Sequence, residues 1–412
     1  MRIGKKVRAL VLTEFDQVNV NKAIKETVFR LIISLFFILF FSFILWSEHR
    51  VISKNISPGC VFSEIIDPET PLSIYVLKVD LTNKNIRIRS VLAQDNFNGL
   101  ESVLSMSQRN DKPGHRIIGA VNGDFYVGTT PIGMGVIDGQ LLKSSGGRTS
   151  IIFDQNNSPQ IGIFSIQMQL SGPKGFDLNI DALNNPAGKP DAVLYTYIFG
   201  ERTQEVGSRL ALILDPLGQI ISSHGSLKLA VDGECPLPKN NLIPEGKFIL
   251  SVKESLSSQL QKVKREKTLA LHVSTLPVSD RIYTAISGGP QIISQGKICV
   301  GQDREGFRKG FSSEKHPRTA VGYIKDRRFL IMMVVDGRRP DYSRGVDLIE
   351  LAELMLSFEC YEAINLDGGG SSTMVINNEV VNQPSDFTGP RPVANCLLVV
   401  NIDPEKNKIQ VP

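Results

Sequence analysis

Apolar residues fall into three patterns along this chain. The first has no period: LIISLFFILFFSFILW, from Leu31 to Trp46, is apolar on every face and broken only by Ser34 and Ser42. Extended to Val28 and Ser47 it makes 20 residues, about 30 Å of helix at roughly 1.5 Å per residue, enough to cross a bilayer core. The second pattern starts at Pro71, where LSIYVLKVDL, NIRIRSVLA with alternating Ile86, Ile88 and Ser90, and IIGAVNG predict strands. Strand-like runs and glycine turns continue through 117–176 and 191–253. The third pattern is helical. A short helix is expected from Leu100 to Arg109, and charged residues 254–266 predict an exposed one. From Val346 to Phe358, the residues Val346, Ile349, Leu351, Leu354, Met355 and Phe358 recur at spacings of three and four, with Asp347, Glu350 and Glu353 on the other side.

These elements predict an α+β class: a strand-rich mixed fold with few helices, without regular βαβ alternation, preceded by one transmembrane helix. The expected organisation is a cytosolic tail (1–30), a transmembrane anchor (31–47), a polar, proline-containing stalk (48–70), one domain (71–402) and a C-terminal tail (403–412).

Charge orients the anchor. Residues 1–50 hold eight Lys/Arg and four Asp/Glu, whereas the remaining 362 residues hold 38 of each. Basic residues before the span leave the N-terminus cytosolic and the domain extracytoplasmic. SEHRVISK, after the span, offers no small-x-small cleavage site, and Cys60 in SPGC is a poor lipidation site, so an uncleaved single-pass anchor in the lipid bilayer is expected. A neutral body lacks the field that would attract a nucleic-acid backbone, so no nucleic-acid partner is expected. The five cysteines form no C-x-x-C and no zinc spacing, and Cys360 and Cys396 in apolar runs read as buried thiols.

Polar glycine clusters end several apolar runs: AVNGDFY, ISGGPQII, HPRTAVGY, VVDGRRPDYSRGVDLIELAELM and INLDGGGSSTM. Strands that stop at Asn, Asp or Gly place polar side chains and bare backbone at a sheet edge, where sites are often built. Together with PIGMGVIDGQLL, IDALNNPAGKPDAVLYT and RPVANCLLVV, these segments, taken in order from Pro71 to Ile402, resemble the phosphodiester glycosidase family. That family includes the enzyme that uncovers mannose 6-phosphate by removing N-acetylglucosamine, and bacterial members labelled exopolysaccharide-biosynthesis proteins. Glu359 departs from the pattern, standing where a glycine usually follows the helix. The resemblance implies a glycosidase that hydrolyses sugar-1-phosphodiester bonds in a surface glycan or glycoconjugate.

The residues suit that chemistry. Cleaving a sugar C1–O–phosphate link passes through an oxocarbenium-like state that needs a carboxylate near C1, and Asp124, Asp336, Glu350 and Asp367 are the candidates. Phosphate already leaves well, so clamping it matters more than protonating it. Arg318 and Arg338 offer guanidinium forks. Asn122, Ser371 and Ser372 are candidate substrate ligands, and Gly288, Gly289, Gly368, Gly369 and Gly370 could present amides or allow close approach.

Each of these residues also has a structural reading. Asp124, Asp336 and Asp367 suit turns, Glu350 suits a helix start, Arg318 suits an ion pair, and Arg339 competes with Arg338 to face inward. His316 reads more readily as structural than as a proton carrier. No cofactor is required. The acids could hold a divalent cation through oxygen ligands, but their spacing matches no metal loop, and no G-x-S-x-G elbow, phosphate loop or H-E-x-x-H is present. The alternative function is a non-catalytic envelope protein that binds or assembles anionic exopolysaccharide. A weaker reading makes residues 150–280 a module for glycan specificity.

Overall fold

The strand Leu72–Asp80 is buried on both faces, which is why its sequence is apolar at successive positions. Tyr75, Leu77 and Val79 enter one core, and Ile74 and Val76 enter another on the opposite face. Its neighbour Phe329–Val335 divides in the same way, with Leu330, Met332 and Val334 against Ile331, Met333 and Val335. The two lie inside an eight-stranded antiparallel sheet that also contains Arg318–Ile324, Cys360–Asn365 and Gln291–Ser294.

The helix Leu348–Ser357 covers one face of this sheet with Leu348, Leu351, Ala352, Leu354 and Met355. Each leucine or methionine among them contributes about 1.5–3 kcal/mol on burial. Asp347 caps the helix, accepting from Ile349 N at 2.9 Å and Glu350 N at 2.8 Å, and Glu350 returns the bond to Asp347 N. Glu359 ends it at φ +62°, the left-handed conformation in which glycine is usual. The opposite face meets a five-stranded sheet. In that sheet Ile118, Val121, Leu397 and Val399 fill the shared core, while Ile117, Ala120, Leu398 and Val400 pack under the helix Val103–Asn110. The layering is helix, sheet, sheet, helix, so the strand-rich mixed class holds.

The computed structural model describes residues 50–403, apart from 145, 173–174, 205–208, 236–239, 279 and 302–304. The expected span at 31–47 lies outside them. Among the described residues no helix is long and apolar enough to cross a membrane. The stalk expectation for 48–70 is corrected: Arg50–Ser57 and Cys60–Asp67 form a hairpin whose second strand pairs with Leu72–Asp80. Its alternation is blurred because one strand lies at the sheet's edge, where polar residues are tolerated. Residues 165–276 build a second eight-stranded sheet with its own core, closed by the helix Ser257–Arg265. Cys60, Cys360 and Cys396 are buried free thiols.

Candidate active site

Several strand ends converge where the two inner sheets meet. Asp124 lies two residues past His115–Asn122, Asp367 two past Cys360–Asn365, Asp336 one past Phe329–Val335, and Arg318 opens Arg318–Ile324. The first two loops are stitched together, Asp367 N donating to Gly123 O at 2.9 Å and Asn122 Nδ2 to Asp367 O at 2.7 Å. Asn122 Oδ1 accepts from Thr319 Oγ1 and Thr373 N, so this side chain is engaged by protein at both ends.

The two acids differ in access. Asp124 is 2% exposed. Its Oδ2 accepts from Gly133 N at 2.6 Å, whereas its Oδ1 has no partner. Burial raises its pKa, Gly133 N–H and the charges of Lys143 and Arg148 oppose the rise, and Asp367 adds to it. Asp367 stands in a recess, enclosed by protein yet partly open to solvent. Burial pushes its carboxyl up to about 6 against the Ser371 hydroxyl, the Gly368 N–H and the Arg391 charge. A carboxylate that is reachable, shifted toward neutrality and backed by a second raised acid is suited to chemistry at a sugar carbon.

The cations also sort by availability. Arg318 is buried, with Nε donating to Val346 O at 3.2 Å and Nη2 to Phe311 O at 3.0 Å and Glu314 O at 2.7 Å. These donors tie down the 311–346 backbone, which gives Arg318 a structural task in place of the expected phosphate fork. Arg338 is exposed and lies against Gly369, where an added Cβ would sit 2.8 Å from Nη2. It has one long contact, to Ser385 Oγ at 3.4 Å, whereas Arg339 is tied to Gln383 Oε1 at 2.7 Å. Gly369 has φ +64°, so both conformation and contact exclude a side chain there.

The remaining expected ligands serve the scaffold. Asp336 accepts from Asn382 Nδ2 at 2.8 Å, Gln383 N at 2.8 Å and Tyr342 Oη at 3.1 Å, so its lone pairs are directed at protein, and burial pushes it up to about 6. Glu350 completes the helix cap and accepts from Lys315 and Arg344, far from a free acid. Burial works to raise its pKa, but the hydrogen bonds from Arg344 and Lys315 hold it below the usual range. The amides of Gly288 and Gly289 donate to Thr149 O and Asn365 O, and those of Gly368 and Gly369 to Asp367 Oδ1 and Pro317 O, so these four display no free N–H. An added Cβ on Gly370 would strike the Asp386 carboxylate at 2.1 Å. Asp386 is itself held by Arg391 at 2.7 Å. Ser372 Oγ is buried without a partner, and His316 Nε2 lies 3.0 Å from Glu314 Oε2.

Sequence reasoning missed a group around Asp124. Lys143 is buried and donates to Ile132 O at 3.1 Å and to Pro131 O; burial lowers its pKa and Asp124 opposes this. Arg148 lies 3.8 Å over the Phe307 ring, Phe307 stacks on Phe311 at 4.6 Å, and Arg318 covers Phe311 at 5.0 Å. Arg148 Nη1 is buried without a hydrogen-bond partner. Glu305 fixes the segment by accepting from Thr149 N and Gln291 N. Each of these residues stands singly in sequence, so no spacing signalled them. A cavity of about 670 Å³ opens beside Lys143 and is lined by Asp181, Asn185 and Gln204 among others. Among the described residues, no three His, Cys, Asp or Glu side chains gather as a metal-ligand set.

Comparison supports the fold and shows a family likeness over part of the chain. A solved structure of a hypothetical protein from Synechocystis superposes with a TM-score of 0.71 at 18% identity, covering 86% of this chain and 64% of that one. Residues 218–400 match the phosphodiester glycosidase family, a likeness over somewhat less than half of the chain. It is 28% identical over 184 residues to the N-acetylglucosamine-1-phosphodiester alpha-N-acetylglucosaminidase of Bos taurus, covering 42% of this chain and 34% of that protein. For the Mus musculus enzyme of the same name it is 30% identical over 204 residues, covering 45% and 38%. The matched stretch thus spans little more than a third of each curated relative.

Proposed function

We propose that this protein hydrolyses the bond between a sugar's anomeric carbon and the phosphate of a phosphodiester. The observation that carries the reading is the neighbourhood of Asp367: a reachable carboxyl shifted to about 6, on the same glycine turn that seats the uncommitted Arg338 fork. Ionised Asp367 stabilises or attacks the electron-poor C1 while the C1–O bond breaks. The departing phosphate keeps the bonding pair, and its charge is met by Arg338, with Arg148 Nη1 as a second donor. Water then adds its oxygen to C1, and its proton leaves through a carboxylate. The products are a free reducing sugar and a phosphomonoester. The names of the curated relatives support a sugar-1-phosphodiester as substrate.

The setting belongs to the same proposal. The run 31–46 anchors the chain, and the domain works outside the cytoplasm on a surface glycan or glycoconjugate. The apolar span and its basic flank support this. Deleting 28–47 should move the chain from the membrane fraction to the soluble one; a full chain that is already soluble overturns the anchor.

The deciding assay incubates the protein with a panel of sugar-1-phosphodiesters. Reducing sugar with phosphomonoester supports the glycosidase. Released sugar phosphate would mean that the aglycone P–O bond is cut, and saturable glycan binding without product would favour the envelope-binding alternative.

A further inference from the structure

At the other end of the hairpin that carries Lys143 lies a second cavity, of about 490 Å³. That hairpin pairs Gly135–Ile137 with Gln140–Lys143, and its turn, Asp138–Gly139, lines the cavity. Lys143 stands four residue steps along the strand from Gly139, about 13 Å at roughly 3.3 Å per step. The two cavities therefore sit at opposite ends of one rigid element.

The walls are built firmly. Leu141 N donates to Ile221 O at 2.7 Å, Gly139 N to Tyr283 O at 2.7 Å, and Ile282 N to Ser223 Oγ at 2.8 Å. These bonds pin the segment that carries Ser222 and His224 against two neighbouring strands. The one acid at the rim is already compensated. Asp138 receives Arg89 Nε at 3.0 Å and Nη2 at 2.7 Å, and Tyr283 Oη at 3.0 Å.

The cationic and neutral polar groups are not compensated. Arg281 is exposed and has no acid partner among the described residues. Its Nη2 passes 3.5 Å from where a Cβ on Gly225 would stand, which lays the guanidinium over bare backbone at the rim. His224 Nδ1 is buried without a hydrogen-bond partner. The ring also lines the cavity, and the fold leaves that nitrogen without a protein partner. Gln155, Gln219 and Ser222 add side-chain amides and a hydroxyl. Unopposed positive charge joined to neutral donors and acceptors matches a ligand with one anionic group and several hydroxyls.

We infer that this cavity is a second binding site, distinct from the Asp124–Asp367 centre, for an anionic saccharide unit, with Arg281 meeting the acid group and His224, Gln155 and Gln219 meeting hydroxyls. The site binds whether or not the chain is a hydrolase, so the two readings fail independently.

The test is calorimetric titration of the full-length protein with a galacturonate oligosaccharide, its neutral galactose counterpart, and inorganic phosphate alone, repeated for Arg281→Ala and His224→Ala. The anionic oligosaccharide should bind at least tenfold more tightly than either control. Arg281→Ala should weaken it about tenfold or more and leave hydrolysis of a small sugar-1-phosphodiester unchanged. Circular dichroism on each variant checks folding. Equal affinity for the neutral sugar or for free phosphate overturns the inference, and so does an unchanged affinity in folded Arg281→Ala.

Discussion

Asn122 bridges the loops that carry Asp124 and Asp367, its Nδ2 donating to the Asp367 carbonyl at 2.7 Å. Its Oδ1 accepts from Thr319 Oγ1 at 2.7 Å and Thr373 N at 3.1 Å. Asn122→Ala would leave three buried groups unpaired, each costing on the order of 1 kcal/mol or more. Urea unfolding should show a loss of about 2–4 kcal/mol. The rate on a sugar-1-phosphodiester should fall as well, because Asp367 loses a restraint on its backbone. A variant as stable as the parent would show that the stitch contributes little.

The Asp367 carboxyl gives the site a pH signature. Its pKa is raised to about 6 by burial from an ordinary value of 3.8, so the folded chain holds this proton more tightly than the unfolded one. The resulting stabilisation is fully present below about pH 4 and is lost as pH rises through about 6. Asp367→Asn stays neutral throughout, so its stability relative to the parent should climb between pH 4 and 7. The gain should reach about 2 kcal/mol once the solvent in the recess is allowed for. Activity should run the other way, with kcat/KM of the parent rising through pH 6 and Asp367→Asn nearly inactive. A profile flat from pH 5 to 7 removes Asp367 from the chemistry.

The helix at 346–358 was legible because apolar spacing and an acidic start both report local geometry, and the structure places it at Leu348–Ser357 with the Asp347–Glu350 cap. The same cap explains why Glu350 could not be judged as an acid from sequence: an early-helix carboxylate looks alike whether it bonds a backbone amide or a substrate. Glycine-ended strands singled out loops that the fold brings together, those of Asp124 and Asp367. What spacing could not report was the direction of each long side chain. Arg318 turns onto backbone carbonyls and Arg338 onto Gly369. Lys143, Arg148 and Phe307 reach the site from separate segments, so only tertiary packing unites them. The hairpin 50–67 was hidden by its half-exposed strands.

Gly289 tests the fit of the Glu305 carboxylate against the backbone. Its φ is +108°, and a Cβ there would lie 2.3 Å from Glu305 Oε2. Gly289→Ala must strain the backbone and push away the carboxylate that holds Thr149 and Gln291. A loss of about 2–3 kcal/mol is expected in denaturant unfolding. Pairing it with Glu305→Ala should give less than the sum of the two single losses, because the second change removes the clash. Strict additivity would place the cost in backbone strain alone.

Arg318 and Arg338 provide the sharpest contrast, because the same substitution should act on different properties. Lysine cannot reproduce three donors aimed at Val346 O, Phe311 O and Glu314 O, nor the flat contact with the Phe311 ring. Arg318→Lys should therefore lower stability by about 2–4 kcal/mol, read as a fall in the urea midpoint. At a temperature where the variant stays folded, it should keep most of its turnover. Arg338 is exposed and bonded only weakly to Ser385, so Arg338→Lys should change stability by no more than about 0.5 kcal/mol. Lysine keeps the charge but loses the fork. The phosphate leaving from C1 would then be met by one donor in place of two, and kcat/KM should drop roughly 10- to 100-fold. Activity loss confined to Arg318→Lys, with Arg338→Lys unaffected, would move the phosphate away from the glycine turn and toward the Arg148–Phe307 column.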